Sequence, residues 1–175
     1  MSLLSVEEAL RRVLAGVAAP VDAEDLPIAE CAGRTLAVDL AALRTQPPFA
    51  ASAMDGYAVR SADAAQAPVT LRLAGASVAG RRFDGVLGPG ETVRIFTGAP
   101  VPEGADAIVI QEDVDADGER IAVREPARAG RHIRAAGLDF TEGATLLQAG
   151  QRLDASRLAL AAAMGHGRLA VRRRP

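Results

Sequence analysis

The sequence contains no lysine and no tryptophan, and it has few aromatic, cysteine or histidine residues. All 20 basic residues are arginine, which excludes a phosphate-loop lysine or a Schiff-base lysine within these 175 residues. Aromatic residues make up 3% of the chain, too few for the stacking platforms that grip single-stranded nucleic acid. The single Cys31 excludes an internal disulfide bond and a cysteine-based zinc site, and two histidines are too few for a histidine metal cluster.

Charge and hydropathy also lack any extreme. The net charge of −2 and the pI of about 5.7 give no broad positive field that would attract nucleic-acid phosphates. No apolar run approaches 18 residues, and the N-terminus lacks a signal-peptide core. We therefore expect a soluble, cytoplasmic protein of one domain or two small ones, with no nucleic-acid or membrane partner.

Helical patterns lie near both ends of the sequence. In "SVEEALRRVLAGV" the apolar residues recur at helical spacing, and Ser5 with Glu8 fits a capping box. In "ASRLALAAAMG" a second helix is predicted, with Asp154 as N-cap and Gly165 as its end. The small side chains of this second helix predict close packing, for which Ala162 is the test position. We expect the two helices to pack against each other.

The middle of the sequence has strand patterns instead. Alternating or continuous apolar residues occur in "VTLRLAG", "ETVRIFTGA", "DAIVIQEDV" and "DADGERIAV", and Asp117-Gly118 in the last predicts a hairpin. Ten prolines and 17 glycines suit short strands in a barrel or sandwich. The predicted fold is α+β, with a small all-β domain of residues 46–140 inserted into a mixed, discontinuous linker domain of residues 1–45 and 141–175.

Four segments together resemble a known family: "PPFAASAMDGYAVR", "IFTGAPVPEGADAIVIQEDV", "HIRAAGLDFTEGATLLQAGQRL" and "LAAAMGHGRLAVRRRP". Their order and spacing resemble the N-terminal part of the molybdopterin molybdenumtransferases, the MoeA family, over essentially the whole chain. The resemblance implies an enzyme that inserts molybdenum, supplied as molybdate, into adenylylated molybdopterin. The products are molybdenum cofactor and AMP, and magnesium takes part.

The resemblance also implies an assembly. Family members are homodimers whose active-site cleft lies between subunits, with one wall from the N-terminal β domain and the other from an α/β domain that holds pterin and nucleotide. Residues 1–45 and 141–175 would then serve as linker and dimerisation domain. The catalytic α/β domain is absent from this chain and would follow Pro175, so we expect a fragment that is inactive alone.

Four residues match positions of the family cleft. Asp55, before a glycine, is either an Asx-turn residue or, as the resemblance implies, a cleft aspartate that holds magnesium, orients water or binds the pterin's donor-rich edge. Thr97 is either a satisfied strand-end hydroxyl or a catalytic donor to an anionic oxygen. Asp139 matches a third catalytic position, in a loop where a lone aspartate usually caps or turns. Ser52 is a candidate contact to the pterin cofactor or a structural residue.

Two departures and one basic pattern accompany these candidates. Ala50-Ala51 stands where family members usually have Asp-Asn, and Leu138 replaces the acidic residue that usually precedes the aspartate matched by Asp139. The Ala50-Ala51 change indicates altered substrate contacts, a divergent paralogue or lineage variation, and Leu138 weakens the match at Asp139. The arginines of "GRHIR", Arg131 and Arg134, form either a small anion-binding patch or a solvated strand.

Two further functional classes remain open. The same domain could act as a non-catalytic scaffold for dimerisation and partner contact, as the homologous region of gephyrin does in receptor clustering. A small β-barrel that binds carbohydrate or oligonucleotides is the third reading, and the scarcity of aromatic residues argues against it.

Overall fold

A computed structural model describes residues 4–17 and 19–174, which are mostly β with two helices. Two 3-10 turns, Ile28–Glu30 and Gln111–Asp113, lie between strands. Neither described helix is long and apolar enough to cross a membrane. In chain order the elements are α1 (Val6–Ala15), β1 (Ala23–Pro27), β2 (Leu40–Ala41), β3 (Ala51–Ser52), β4 (Gly56–Val59), β5 (Val69–Ser77), β6 (Glu91–Ile95), β7 (Ala107–Ile110), β8 (Val114–Asp117), β9 (Arg120–Val123), β10 (Ile133–Arg134), β11 (Thr145–Leu147), α2 (Ala155–Ala163) and β12 (Arg168–Arg172).

The chain divides into two compact units. Residues 45–141 form one, here called the β unit, and the segments before and after them form the other, the linker unit. The domain limits expected from the sequence differ from these by one residue at each junction. The linker unit thus consists of two segments that are far apart in the sequence.

Strand pairing joins the two segments of the linker unit. β1 and β12 run antiparallel from the pair Ala23↔Arg172 to the pair Pro27↔Arg168, and β2 pairs antiparallel with β11. The core is aliphatic, and its largest fully buried side chains come from both segments: Leu36, Leu153, Met164 and Leu169. The unit predicted as helical or mixed is therefore held together mainly by short strands.

Helix α1 begins where the sequence predicts. The Ser5 hydroxyl accepts a hydrogen bond from the Glu8 backbone N–H at 3.2 Å, which confirms Ser5 as the N-cap. The Glu8 carboxylate accepts from Arg11 and Arg12 instead of the Ser5 N–H, so the reciprocal half of the predicted capping box is not formed. The apolar stripe of the helix faces solvent, with 57–85% exposure of Val6, Leu10, Val13, Leu14 and Val17. The expectation that this helix packs on α2 is wrong, because α1 has no buried residue.

Helix α2 is capped at both ends as predicted. Asp154 accepts from the Arg157 backbone N–H at 2.9 Å, and the helix ends before Gly165, whose φ is 102°. Within the triple-alanine run Ala161 is fully buried and Ala162 is exposed. The close-packed position is therefore Ala161, one residue before the expected one.

The β unit is a curled six-stranded half-barrel with the order β7-β4-β6-β5-β9-β8. Only β5 and β6 are parallel, and the other neighbours are antiparallel. Successive residues of a strand enter different cores: Val59 and Val109 join one cluster, and Ala58 and Ile108 join the other. The β8–β9 hairpin is confirmed, with Gly118 and Glu119 as its two turn residues and a φ of 58° at Gly118.

Candidate active site

Strand register brings Asp55 and Thr97 to one edge of the half-barrel. Gly56 pairs with Ile95 across β4 and β6, so the residue before one strand lies near the residues after the other. The Thr97 backbone N–H and its hydroxyl both donate to Asp55 Oδ1, each at 2.8 Å. Two motifs that are 42 residues apart thus form one hydrogen-bonded pair.

The pair holds Asp55 in its charged form. The backbone N–H of Thr97, then its hydroxyl, and also the positive charge of Arg94 lower the pKa of this partly exposed carboxyl below its usual range. Both hydrogen bonds fall on Oδ1, and no described residue donates to Oδ2. Asp55 is therefore an ionised acceptor near neutral pH.

The glycine after Asp55 has a packing role rather than a turn role. A Cβ at Gly56 would lie 2.0 Å from the carbonyl oxygen of Val109, so only glycine allows β4 to lie this close to β7. The turn at this edge belongs to Gly98, whose φ is 80°. Because Asp55 binds Thr97 and not its own local backbone, the turn interpretation of Asp55-Gly56 is not supported.

Ser52 supports the loop that carries Asp55. It is 1% exposed, and its hydroxyl donates to the Met54 carbonyl oxygen at 2.6 Å while accepting from the Met54 N–H at 3.3 Å. The Ser52 carbonyl accepts from the Gly98 N–H at 2.9 Å, which joins this loop to the turn beside Thr97. A contact between Ser52 and a pterin stays a prediction.

A cleft of about 380 Å³ lies beside Thr97. Thr97 and Arg134 provide polar groups in its lining, and Pro47, Pro48 and Phe49 provide apolar surface. Arg134 reaches the cleft because it pairs with the cleft residue Ala51 across β10 and β3.

Asp139 joins the site through Arg134. One terminal nitrogen of the Arg134 guanidinium donates to both carboxylate oxygens of Asp139, at 2.9 and 3.1 Å. Both side chains remain about half exposed, so this ion pair contributes little to stability. Of the two "GRHIR" arginines, the structure brings Arg134 to the cleft, whereas Arg131 pairs with Asp113 at 3.6 Å.

Sequence reasoning missed Arg94. Its guanidinium lies 4.9 Å from the ring centres of both Tyr57 and Phe96, and it donates to the Gly56 carbonyl at 3.3 Å and to Gln111 Oε1 at 2.7 Å. It therefore ties the residue after Asp55 to the residue before Thr97. The signal was the register that places Arg94 opposite Tyr57, which a single sequence does not display.

Comparison with known proteins places the chain in a family. The profile of the MoeA N-terminal region (domain I and II) matches residues 4–165. The chain belongs to this family. The resemblance identified from the sequence motifs is thereby confirmed.

The relatives that this MoeA N-terminal region matches are longer proteins. The molybdopterin molybdenumtransferase of Synechococcus elongatus is 43% identical over 175 residues, which cover 97% of this chain and 43% of that protein. The Haemophilus influenzae protein of the same name is 38% identical over 93% of this chain and 40% of its own length. The crystal structure of a molybdopterin biosynthesis moeA protein from Pyrococcus horikoshii matches with a TM-score of 0.84 and 32% identity over 99% of this chain and 46% of that one. The chain thus spans less than half the length of these relatives.

The donor set of this MoeA region offers little to a metal ion by itself. Among residues 4–17 and 19–174, no group of three or more His, Cys, Asp or Glu side chains is arranged to hold a metal. Asp55 provides one free carboxylate oxygen, and Asp139 is paired with Arg134. Magnesium, which commonly keeps several waters and takes one or two carboxylates, would need water and substrate oxygens as its other ligands here.

Proposed function

We propose that this chain provides the β wall of an active-site cleft in a molybdenum cofactor biosynthesis enzyme. The enzyme would insert molybdenum from molybdate into adenylylated molybdopterin and release AMP. The observation that carries the proposal is the bonding of Asp55 to Thr97 beside a cleft that also contains Arg134. The names of the relatives, molybdopterin molybdenumtransferases, support the reaction class.

The residues of the wall would bind and orient substrate. Thr97 and Arg134 contact the ligand, Asp55 fixes the orientation of Thr97, and Asp139 fixes that of Arg134. Magnesium at Asp55 would offset the negative charge of molybdate and of the substrate phosphates. The pterin would lie between this wall and an α/β domain of a partner subunit, which would also hold the nucleotide.

A chimera tests the proposal. This chain would replace the matching N-terminal segment of the Synechococcus enzyme, and molybdenum cofactor formation from adenylylated molybdopterin and molybdate would be measured. We expect the chimera to form cofactor and Asp55→Asn to reduce its rate by about 10-fold or more, as loss of a positioned charge in an active site does. Asp84→Asn is the matched control, because the Asp84 side chain is 91% exposed in the same unit and lies outside the cleft lining. Equal rates for Asp55→Asn and Asp84→Asn would contradict the assignment.

The exposed apolar stripe of α1 favours a second candidate, a dimerisation or scaffold module. In this reading the linker unit, through α1, associates with a second copy of the chain. Sedimentation velocity of the wild-type chain and of Leu10→Glu would test it. A dimer that Leu10→Glu dissociates, together with an inactive chimera, would favour the scaffold over the enzyme. Homodimerisation is also what we propose for the enzyme itself, so cofactor formation decides between the two.

A further inference from the structure

We infer that the Thr97 end of the cleft accepts hydrogen bonds from ligand N–H groups, so that it recognises the amino-bearing edge of a pterin ring and not an oxyanion. The inference rests on the proposed function for the identity of the pterin. It reverses the donor role that the family resemblance implies for Thr97.

Thr97 has no hydrogen left to donate to a ligand. A threonine hydroxyl has one hydrogen and two lone pairs. Its hydrogen is donated to Asp55 Oδ1 at 2.8 Å, and the backbone N–H of Thr97 is donated to the same oxygen at 2.8 Å. Since ionised Asp55 can only accept, the hydroxyl of Thr97, a residue of the cleft lining, has only its lone pairs left to offer a ligand.

Three main-chain N–H groups in the lining beside Thr97 are already engaged. The N–H groups of Ser52, Ala53 and Gly98 donate to main-chain carbonyl oxygens at 3.0, 2.9 and 2.9 Å. Pro47 and Pro48, which also line the cleft, have no N–H. An oxyanion hole needs free N–H groups that point at the anion, and at the Thr97 end these lining groups are already engaged.

Arg134, another polar side chain of the cleft lining, has the opposite character. Arg134 has five N–H donors and uses one terminal nitrogen on Asp139, so its remaining donors suit an anionic group. The cleft volume of about 380 Å³ is within the range of small-molecule pockets, and Phe49 adds an exposed ring. A bicyclic ring with an amino group that donates to Thr97 and an anionic substituent that accepts from Arg134 would satisfy both side chains.

Nuclear magnetic resonance titration of the 175-residue chain tests the inference. The probes are pterin, lumazine, in which a carbonyl replaces the 2-amino group of pterin, and sodium molybdate. We expect pterin to shift the amide resonances of Thr97 and Gly98 saturably, and lumazine to bind about 5-fold more weakly, the effect of one ordinary hydrogen bond. Molybdate should shift Arg134 resonances before those of Thr97.

Two variants test whether the Thr97 hydroxyl causes the preference for pterin over lumazine. Thr97→Ser keeps the hydroxyl and should keep the preference for pterin over lumazine. Thr97→Val removes it with little change of shape and should bring the ratio of the two dissociation constants to about 1. Native-like spectra elsewhere in the β unit would show that both variants fold.

The outcomes separate this inference from the proposed function. Equal binding of pterin and lumazine at the cleft, or saturable molybdate binding centred on Thr97, would overturn the acceptor role while leaving the chimera assay intact. Absence of any pterin-dependent shift in the cleft would overturn the inference and the placement of the pterin at this wall. The proposed reaction is tested separately, by cofactor formation in the chimera.

Discussion

The two units of the chain differ in how fully their elements are packed. In the β unit both faces of the half-barrel are packed, and the polar residues of interest meet at one edge where each has a partner. In the linker unit the strands and α2 share a buried core, but α1 leaves its apolar stripe in solvent. Packed strands can hold the side chains of a site in a fixed geometry. A helix with an exposed apolar face is suited to contact with another protein surface.

The largest expected effect is on the β unit. Gly56→Ala places a Cβ 2.0 Å from the Val109 carbonyl oxygen, and backbone cannot yield as a flexible side chain does. We expect a loss of about 4 kcal/mol or more, or failure of the unit to fold. Gly167→Ala is the control, since nothing lies within 4 Å of its added Cβ. Urea unfolding curves that coincide for both variants would refute the close strand approach.

Within the linker unit the contrast is between Leu153 and Leu10. Leu153→Ala removes a fully buried side chain and should lower the free energy of unfolding by about 2–5 kcal/mol. Leu10→Ala, on the exposed stripe of α1, should change it by about 0.5 kcal/mol or less in the monomer. A large loss for Leu10→Ala at monomeric concentration would mean that α1 is packed after all.

A smaller effect separates neighbouring alanines of α2. Ala161→Leu should cost about 1–3 kcal/mol by overpacking the core, whereas Ala162→Leu should be nearly neutral because its side chain is exposed. Thermal unfolding of the two variants measures the difference. The reverse order would show that the helix is rotated by one residue about its axis.

The smallest effect concerns the charge of Asp55. Its pKa is lowered in the folded chain, so its ionisation stabilises the fold above the ordinary aspartate pKa, and this contribution disappears as pH falls through the lower folded pKa. Arg94→Met removes a nearby positive charge and should raise the pKa of Asp55, whereas Arg94→Lys should keep most of the lowering. Carboxyl carbon chemical shifts against pH measure this. An unchanged pKa of Asp55 in Arg94→Met would show that the charge of Arg94 does not act on Asp55.

Helix caps and several strands could be predicted from residues that are close together in the sequence. The caps at Ser5 and Asp154 are predicted correctly because a capping side chain and its N–H partner are three residues apart. For a similar reason, the alternation of apolar residues predicts β5 and β6, and a continuous apolar run predicts β7. Such patterns depend on neighbours along the chain, which a single sequence displays.

Other features depend on contacts with residues that are distant in the sequence. Whether α1 buries its stripe, and whether Ala161 or Ala162 faces the core, is determined by distant segments. Arg94 becomes a site residue only through its register with Tyr57. The meeting of Asp55 and Thr97 was expected through the family resemblance and not through any local pattern, whereas the acceptor role of Thr97 required the positions of its hydrogen-bond partners.

The most direct test of the central claim is a double-mutant cycle on Asp55 and Thr97 in the Synechococcus chimera, measured as the rate of molybdenum cofactor formation. If the two side chains act as one unit, Asp55→Asn and Thr97→Val should each reduce the rate, and the double variant should lose little more than the worse single variant. Losses that multiply would show that the two residues act independently, and unchanged rates would show that this pair has no part in the reaction.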